Sequence, residues 1–558
     1  MKGRDSVAES NYWNDKHLSR TLSRRLSRRR LIQIGALGTA GAVSAAYVGC
    51  GGGDDEDDAE RQSTPQGTPS GEPKRGGTLH TYTQTPILTL DPNDILGMAA
   101  APFFYSYLVH MTDWQGTVGD LAKSWEVVDD LHWTFNLRED ARFADIDPAN
   151  GRPLTSEDIR YSLDRVESMP GASPVWKTAY TGRESPDPRT LVIHTKEPEA
   201  YLLGNMSSSL LAVVPREAVE KFGDLKSSAL GSGPFILESW GRDEGLRVSR
   251  NPTYYHDFPY VDGIDLKVMA DDSLIQAAFR SNAIDYYDAP DRVSADAMKN
   301  IQGVSLQTYL ERTFSVLLLN GTRIAEFKDQ RVREAVDLAL DRKTIAERLY
   351  FGEAELAGPV PPVFDSALPA DEIEQAYRTD VEKAKSLLSA AGVEGLRFQL
   401  LFSTSKSLYT DMASVIQANL RRVGVEVEMR PMELGSYLGA FYGGDHEAAL
   451  FDHGPYMADD IPVQGHHSHG YLRTDAFYMG VDDPETDSTL DQIQHTIDRD
   501  KRMSMIQQVQ RRVLERHGPT LALLQPRGYW CAYDYLKGYV PTAYGFGMYK
   551  YDVWIDKG

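Results

Sequence analysis

Between Gln330 and Pro362 the apolar positions recur three and four residues apart. Val332, Ala335, Val336, Ala339 and Leu340 mark one face of a predicted helix, with Arg331, Arg333, Glu334 and Asp337 on the other. Asp341 is placed to cap a second helix with Ile345, Ala346 and Leu349 inside, and Gly352 to end it. Gly358-Pro359 and Pro361-Pro362 then dictate an extended crossover. Upstream the period changes to two. Trp133, Phe135 and Leu137 alternate with Thr134, Asn136 and Arg138, so this segment and 121–127 are expected as a half-buried hairpin. Thr155 with Asp158 approximates a capping box opening a helix through Ile159, Leu163 and Val166. Met98 to Val109, with Phe103, Phe104, Tyr107 and Leu108, is expected as a helix. Phe314 to Asn320 is nearly continuous apolar strand. Beyond it, Asp380 caps a helix from Val381 that Gly392 stops; the strand Leu396–Phe402, the helix Asp411–Val423 and the strand Val425–Met429 follow. That alternation predicts an α/β C-terminal half.

Composition sets the scale. At 558 residues the chain exceeds one hydrophobic core, so two or three packed units are expected. Apolar residues at 41% and aromatics at 10% are those of an ordinary globular protein. Cys50 and Cys531 cannot build a disulfide scaffold or a zinc finger; Cys531 is expected as a buried apolar thiol. The net charge is −22, and residues 1–49, with nine Lys and Arg against three Asp and Glu, carry +6, which leaves −28 for the rest. That sign excludes a nucleic-acid binder and favours cationic solutes at long range.

The basic N-terminus leads into an uncharged run from Leu31 to Val48, the layout of an export signal. Ser27-Arg28-Arg29-Arg30-Leu31-Ile32 resembles a twin-arginine signal with Arg28 and Arg29 as the pair and Leu31 where Phe is usual. Tyr47-Val48-Gly49-Cys50 resembles a lipobox, with Tyr47 where Leu is usual, which implies acylation of Cys50. The alternative for this run is an uncleaved membrane helix. Residues 51–75, rich in Gly, Asp, Ser, Thr and Pro, then form a flexible tether.

Several blocks taken together resemble one family. They are Gly76-Gly77-Thr78-Leu79 with Leu90-Asp91-Pro92; Leu121-Ala122-Lys123-Ser124-Trp125 with Pro153-Leu154-Thr155; and Gly231-Ser232-Gly233-Pro234-Phe235 with Asn251-Pro252. Asn282-Ala283-Ile284-Asp285, the helical hairpin with its Pro-rich exit, Ala384 to Gly392 and Ile416 to Val427 continue the series. From about residue 76 onward the chain is identified as resembling the extracellular solute-binding proteins (family 5) of ABC importers for peptides and nickel. The resemblance implies an α/β fold of the periplasmic-binding-protein type (cluster C), in which three lobes with two mixed sheets close around a cleft. Residues 1–50 are then the signal and 51–75 the tether. Lobe I comprises 76–118, 229–312 and 526–558, lobe II 119–228, and lobe III 313–525.

The resemblance also implies a ligand anchor, an Asp that pairs with a peptide amine. In the stretch after Gly444-Asp445, either Asp459 or Asp460 takes that place, with Tyr437, His453, Tyr456 and Tyr471 as candidate lining residues. His466, His467 and His469 are weak metal candidates beside the reading of a polar loop. Glu157 and Asp158 are read as first-turn carboxylates that offset the helix dipole, not as catalytic acids. No nucleophile elbow, phosphate loop or zinc-protease motif appears. The expected protein is a lipid-anchored, non-enzymatic monomer without cofactor, on the outer face of the cytoplasmic membrane or in the periplasm. It passes a small peptide or similar solute to a membrane permease. Nickel chelates or oligosaccharides are the alternative ligands, and a secreted hydrolase or a sensor are the alternative classes.

Overall fold

The computed structural model describes residues 72–112, 116–169, 180–405, 407–454, 461–469, 478–539 and 553–557. The fold is α/β with several sheets. The first has four strands in the order Thr78–Thr83, Gly263–Val268, Gly245–Arg250, Phe235–Gly241; its first pair is parallel and the others antiparallel. An antiparallel sheet of Tyr286–Ala289, Arg527–Tyr533 and Val304–Leu310 lies in the same core. A third sheet, Ala122–Val127, His132–Leu137, Thr190–Thr195 and Tyr180–Asp187, is antiparallel throughout and shares that core too. The helix Ser156–Ser168 packs beside it; the Asp158 carboxylate accepts the Thr155 backbone N–H at 2.8 Å and Arg152 grips both its oxygens.

The C-terminal half is built on a five-stranded mixed sheet in the order Glu426–Met432, Arg397–Ser403, Ala448–His453, Phe314–Leu319, Thr520–Ala522. Phe314–Leu319 is buried at every position because helices cover both faces. Leu317 and Leu319 enter a core with the helices Gln330–Ala339, Arg342–Leu349 and Val381–Ala390; Phe314, Val316 and Leu318 enter another with Leu434–Tyr442, Pro484–His495 and Arg499–Arg516. A strand covered on both sides has no polar face to alternate with, which explains its continuous apolar run. The helical hairpin forms as the periodicity predicts. Asp341 accepts the Thr344 N–H at 3.0 Å; the second helix ends at Leu349, and the chain turns away through Phe351 at φ +55° and Gly352 at φ +76°, whose N–H closes on the Ala346 carbonyl at 3.0 Å.

One expectation fails. Of Met98–Val109 only Ala101–Phe104 is helical; Tyr105 is extended, and Val109–Thr112 is a strand. The cause is tertiary. The Phe104 carbonyl accepts from Gly233 N at 2.9 Å, and a Cβ on Gly233 would lie 2.4 Å from the Phe104 carbonyl carbon. The 231–233 segment therefore docks flush on the backbone where the helix would have continued. Among the described residues no helix is long and apolar enough to cross a membrane.

Candidate functional site

The chain passes twice between the three-stranded sheet and the five-stranded one. Val304–Leu310 leads through Glu311, Arg312 and Thr313 into Phe314–Leu319, and Leu524–Gln525 leads through Pro526 back into Arg527–Tyr533. The two passages lie side by side. Glu311 N–H donates to the Pro526 carbonyl at 3.0 Å, and the fully buried Gln525 donates its amide to the Glu311 carbonyl at 2.6 Å. The Gln525 side-chain oxygen accepts from Val363 N at 3.3 Å. Polar side chains strap the same place. Arg527 reaches Glu355 at 2.7 Å, Tyr529 donates to Glu353 at 2.8 Å, and Arg292 also pairs with Glu353. Two adjacent single-strand passages are the geometry of a hinge, since a few backbone torsions there can reorient whole sheets.

A second contact lies far from this crossing in sequence. Ala200 N donates to the Gln494 carbonyl at 3.0 Å, His495 Nδ1 lies 2.9 Å from the Pro198 carbonyl, and Tyr201 is buried in the core of the helix Pro484–His495.

Next to the crossing, the register of the three-stranded sheet pairs Asp288 with Trp530, Trp530 with Gln307, and Gly528 with Tyr309, so these residues share one face. The Tyr309 hydroxyl donates to Asp288 Oδ1 at 3.4 Å, and the Asp288 N–H donates to the Tyr82 hydroxyl at 3.1 Å. Gly528 makes this possible: a Cβ there would stand 2.2 Å from the Tyr309 ring. Trp530 stacks between Tyr286 and Tyr539, with ring centroids 4.0 and 3.8 Å away. Asp288 is solvent-exposed, yet crowding by protein and the charge of Glu311 push its carboxyl up to about 7. Among the described residues no basic side chain forms an ion pair with it.

The residues singled out from sequence divide. Tyr437 is buried, donates to the Leu450 carbonyl at 3.0 Å and stacks on Phe441. His453 is buried at the end of its strand, beside Phe314 and Phe451, and burial followed by the nearby His466 pulls its imidazole down to about 3. His453, His466 and His467 line a cavity of about 20 Å³, room for about one water. His469 instead stacks on Tyr478. Among the described residues no group of three His, Cys, Asp or Glu is placed to hold a metal ion. Tyr456, Asp459, Asp460 and Tyr471 lie outside the described residues, as do Arg28, Arg29 and Cys50. Asp288, Tyr309 and Gln525 were not singled out from sequence. The available signal was a polar residue inside the strand Tyr286–Ala289, two positions from Tyr286 and so on its face.

Similarity to known proteins decides the family. The model for bacterial extracellular solute-binding proteins, family 5, matches residues 116–471. The chain belongs to that family. This solute-binding protein is 25% identical over 457 residues to the probable D,D-dipeptide-binding periplasmic protein DdpA of Escherichia coli, covering 79% of this chain and 86% of that protein. It is 27% identical over 411 residues to the periplasmic oligopeptide-binding protein OppA of Salmonella typhimurium, covering 67% and 74%. Its fold is that of HbpA2 from Haemophilus parasuis, with a TM-score of 0.75 at 21% identity over 86% of this chain and 100% of the other. DdpA and OppA carry the names of peptide-binding proteins.

Proposed function

We propose that this solute-binding protein captures oligopeptides outside the cytoplasmic membrane and delivers them to the permease of an ABC importer. The carrying observation is the paired crossing at Glu311–Thr313 and Gln525–Pro526, about which two bodies can close on a solute. The peptide class follows from the relatives named for dipeptides and oligopeptides. Peptide backbone can be gripped by hydrogen bonds whatever its side chains, with water filling the side-chain pockets. In this reading lobe I (76–118, 229–312, 526–558) and the inserted lobe II (119–228) form one jaw, and lobe III (313–525) the other. Asp459 or Asp460 holds the peptide amine, and Tyr456 and Tyr471 line the cleft. The permease recognises the closed state, a shift of population toward it. The protein works as a monomer in the periplasm or on the outer face of the cytoplasmic membrane, exported through Arg28 and Arg29 and tethered by acylated Cys50.

Native mass spectrometry of the purified protein tests the peptide class: adducts that fragment as short peptides are expected. Calorimetry with free-amine peptides then compares wild type with Asp459→Ala and Asp460→Ala. One substitution should weaken binding by about tenfold or more. Tight binding of oligosaccharides or nickel chelates in place of peptides would overturn the reading.

A further inference from the structure

Several partly or wholly buried carboxylates elsewhere in the described residues are gripped by a cation of their own. Arg165 donates to Asp91 at 2.9 Å, Arg152 to Asp158 at 2.7 Å, Arg342 to Asp337 at 2.5 Å, and Arg292 pairs with Glu353. Asp288 is built differently. It is held in place by Tyr309 and Tyr82, crowded by protein, open to solvent and without a countercharge among the described residues. It stands on the sheet whose strands Val304–Leu310 and Arg527–Tyr533 run directly into the crossing.

We propose that Asp288 is a specificity-determining residue of the solute site and receives a cationic group of the solute, an ammonium or a guanidinium. The assignment rests on the solute-binding reading above and adds to it a charge preference, separate from the amine anchor. A carboxylate crowded by protein is costly while uncompensated, so an incoming cation recovers more there than at an open surface. The Tyr309 hydroxyl orients the carboxylate by donating to Oδ1 at 3.4 Å, and the Tyr82 hydroxyl accepts from the backbone N–H behind it. Gly528 is part of the device, because any side chain there would push the Tyr309 ring away.

The titratable groups whose charge bears on Asp288 are Tyr309 on the strand beyond the central one, Glu311 just past its end, Tyr82 from the four-stranded sheet, and Cys531 on the other face of the central strand. None is basic. The carboxylate changes state close to neutral pH, and only its ionised form attracts a cation. The charge preference therefore grows as pH rises through about 7 and levels off above it.

The full chain and its Asp288→Asn variant are titrated by calorimetry with Ala-Lys-Ala, which keeps the free amino terminus for the amine anchor, with its norleucine isostere, and with spermidine as a non-peptide cation. In wild type the lysine peptide should bind about tenfold or more tighter than the isostere at pH 8, and the ratio should shrink by pH 6. In Asp288→Asn the ratio should collapse to within about twofold. Peptides bound without charge preference, or a preference surviving in Asp288→Asn, overturn this inference and leave the peptide reading standing. Asp288-dependent binding of spermidine without peptide binding keeps the inference and removes the peptide reading. Binding of none of the three probes counts against both.

Discussion

Asp337 and Asp288 are both carboxylates crowded by protein, and the molecule treats them in opposite ways. Asp337 sits on the helix Gln330–Ala339, 5% exposed, with Arg342 at 2.5 Å and His517 Nδ1 at 2.9 Å. Burial alone would raise its carboxyl, but Arg342 and His517 outweigh burial and hold it below the usual range. Asp288 meets the same crowding with Glu311 for a neighbour, and its carboxyl rises to about 7. The first charge is settled within the chain and supports the fold. The second is left unsettled at a place water can reach, which is what a binding group requires.

The comparison breaks most visibly at Arg342. This guanidinium is 2% exposed, and besides Asp337 it donates through Nε to the Ala522 carbonyl at 2.8 Å, tying the helical hairpin to the five-stranded sheet. Arg342→Met strands Asp337 with only the histidine. A loss of about 3–5 kcal/mol in denaturant unfolding is expected, with partial recovery on adding Asp337→Asn. A loss below about 1 kcal/mol would mean the pair does not hold the hairpin in place.

His446 represents a third arrangement, a buried polar group with neither partner nor charge. It is 2% exposed, neither ring nitrogen has a hydrogen-bond partner among the described residues, and its ring stacks on Phe441 at 5.3 Å. Burial, then Arg323, pulls its imidazole down to about 4. A base whose folded pKa is depressed stabilises the fold above its unfolded value near 6.5. That stability is lost as pH falls toward 4. The cost at His446 is about 3 kcal/mol by pH 4. His446→Leu should flatten the fall in denaturation midpoint between pH 7 and 4.5. An unchanged slope would move the acid sensitivity elsewhere, with His453 next in line.

These three cases also mark how far the sequence could be read. The hairpin with Asp337 and Arg342 was legible because helical periodicity, caps and the Gly352 stop are local signals, and the family resemblance ordered the sheets around it. The Met98–Val109 helix was misread because its apolar spacing is correct and its competitor, the Gly231–Gly233 backbone, lies more than a hundred residues away. Asp288 was passed over for a related reason. Nothing in Tyr286-Tyr287-Asp288-Ala289 says which cation is absent, since that depends on Glu311, Tyr309 and Gly528 arriving from two other strands. Tyr437 was chosen for its ring, and sequence could not reveal that its hydroxyl is already taken by the Leu450 carbonyl.

The smallest expected effect is the sharpest test of the comparison. An acid whose folded pKa is raised is destabilising wherever the unfolded chain has released its proton and the folded one resists doing so. At Asp288 that penalty begins near the unfolded value of about 4, grows as pH rises, and is complete above about 7. Because water reaches the carboxylate, screening limits the penalty to about 1 kcal/mol or less. Asp288→Asn removes it. Without ligand, the variant should match wild type at pH 4 and unfold at a slightly higher denaturant concentration at pH 8. A variant weaker than wild type at pH 8 would mean that Asp288 supports the fold as Asp337 does, and the contrast between a settled and an unsettled carboxylate would collapse.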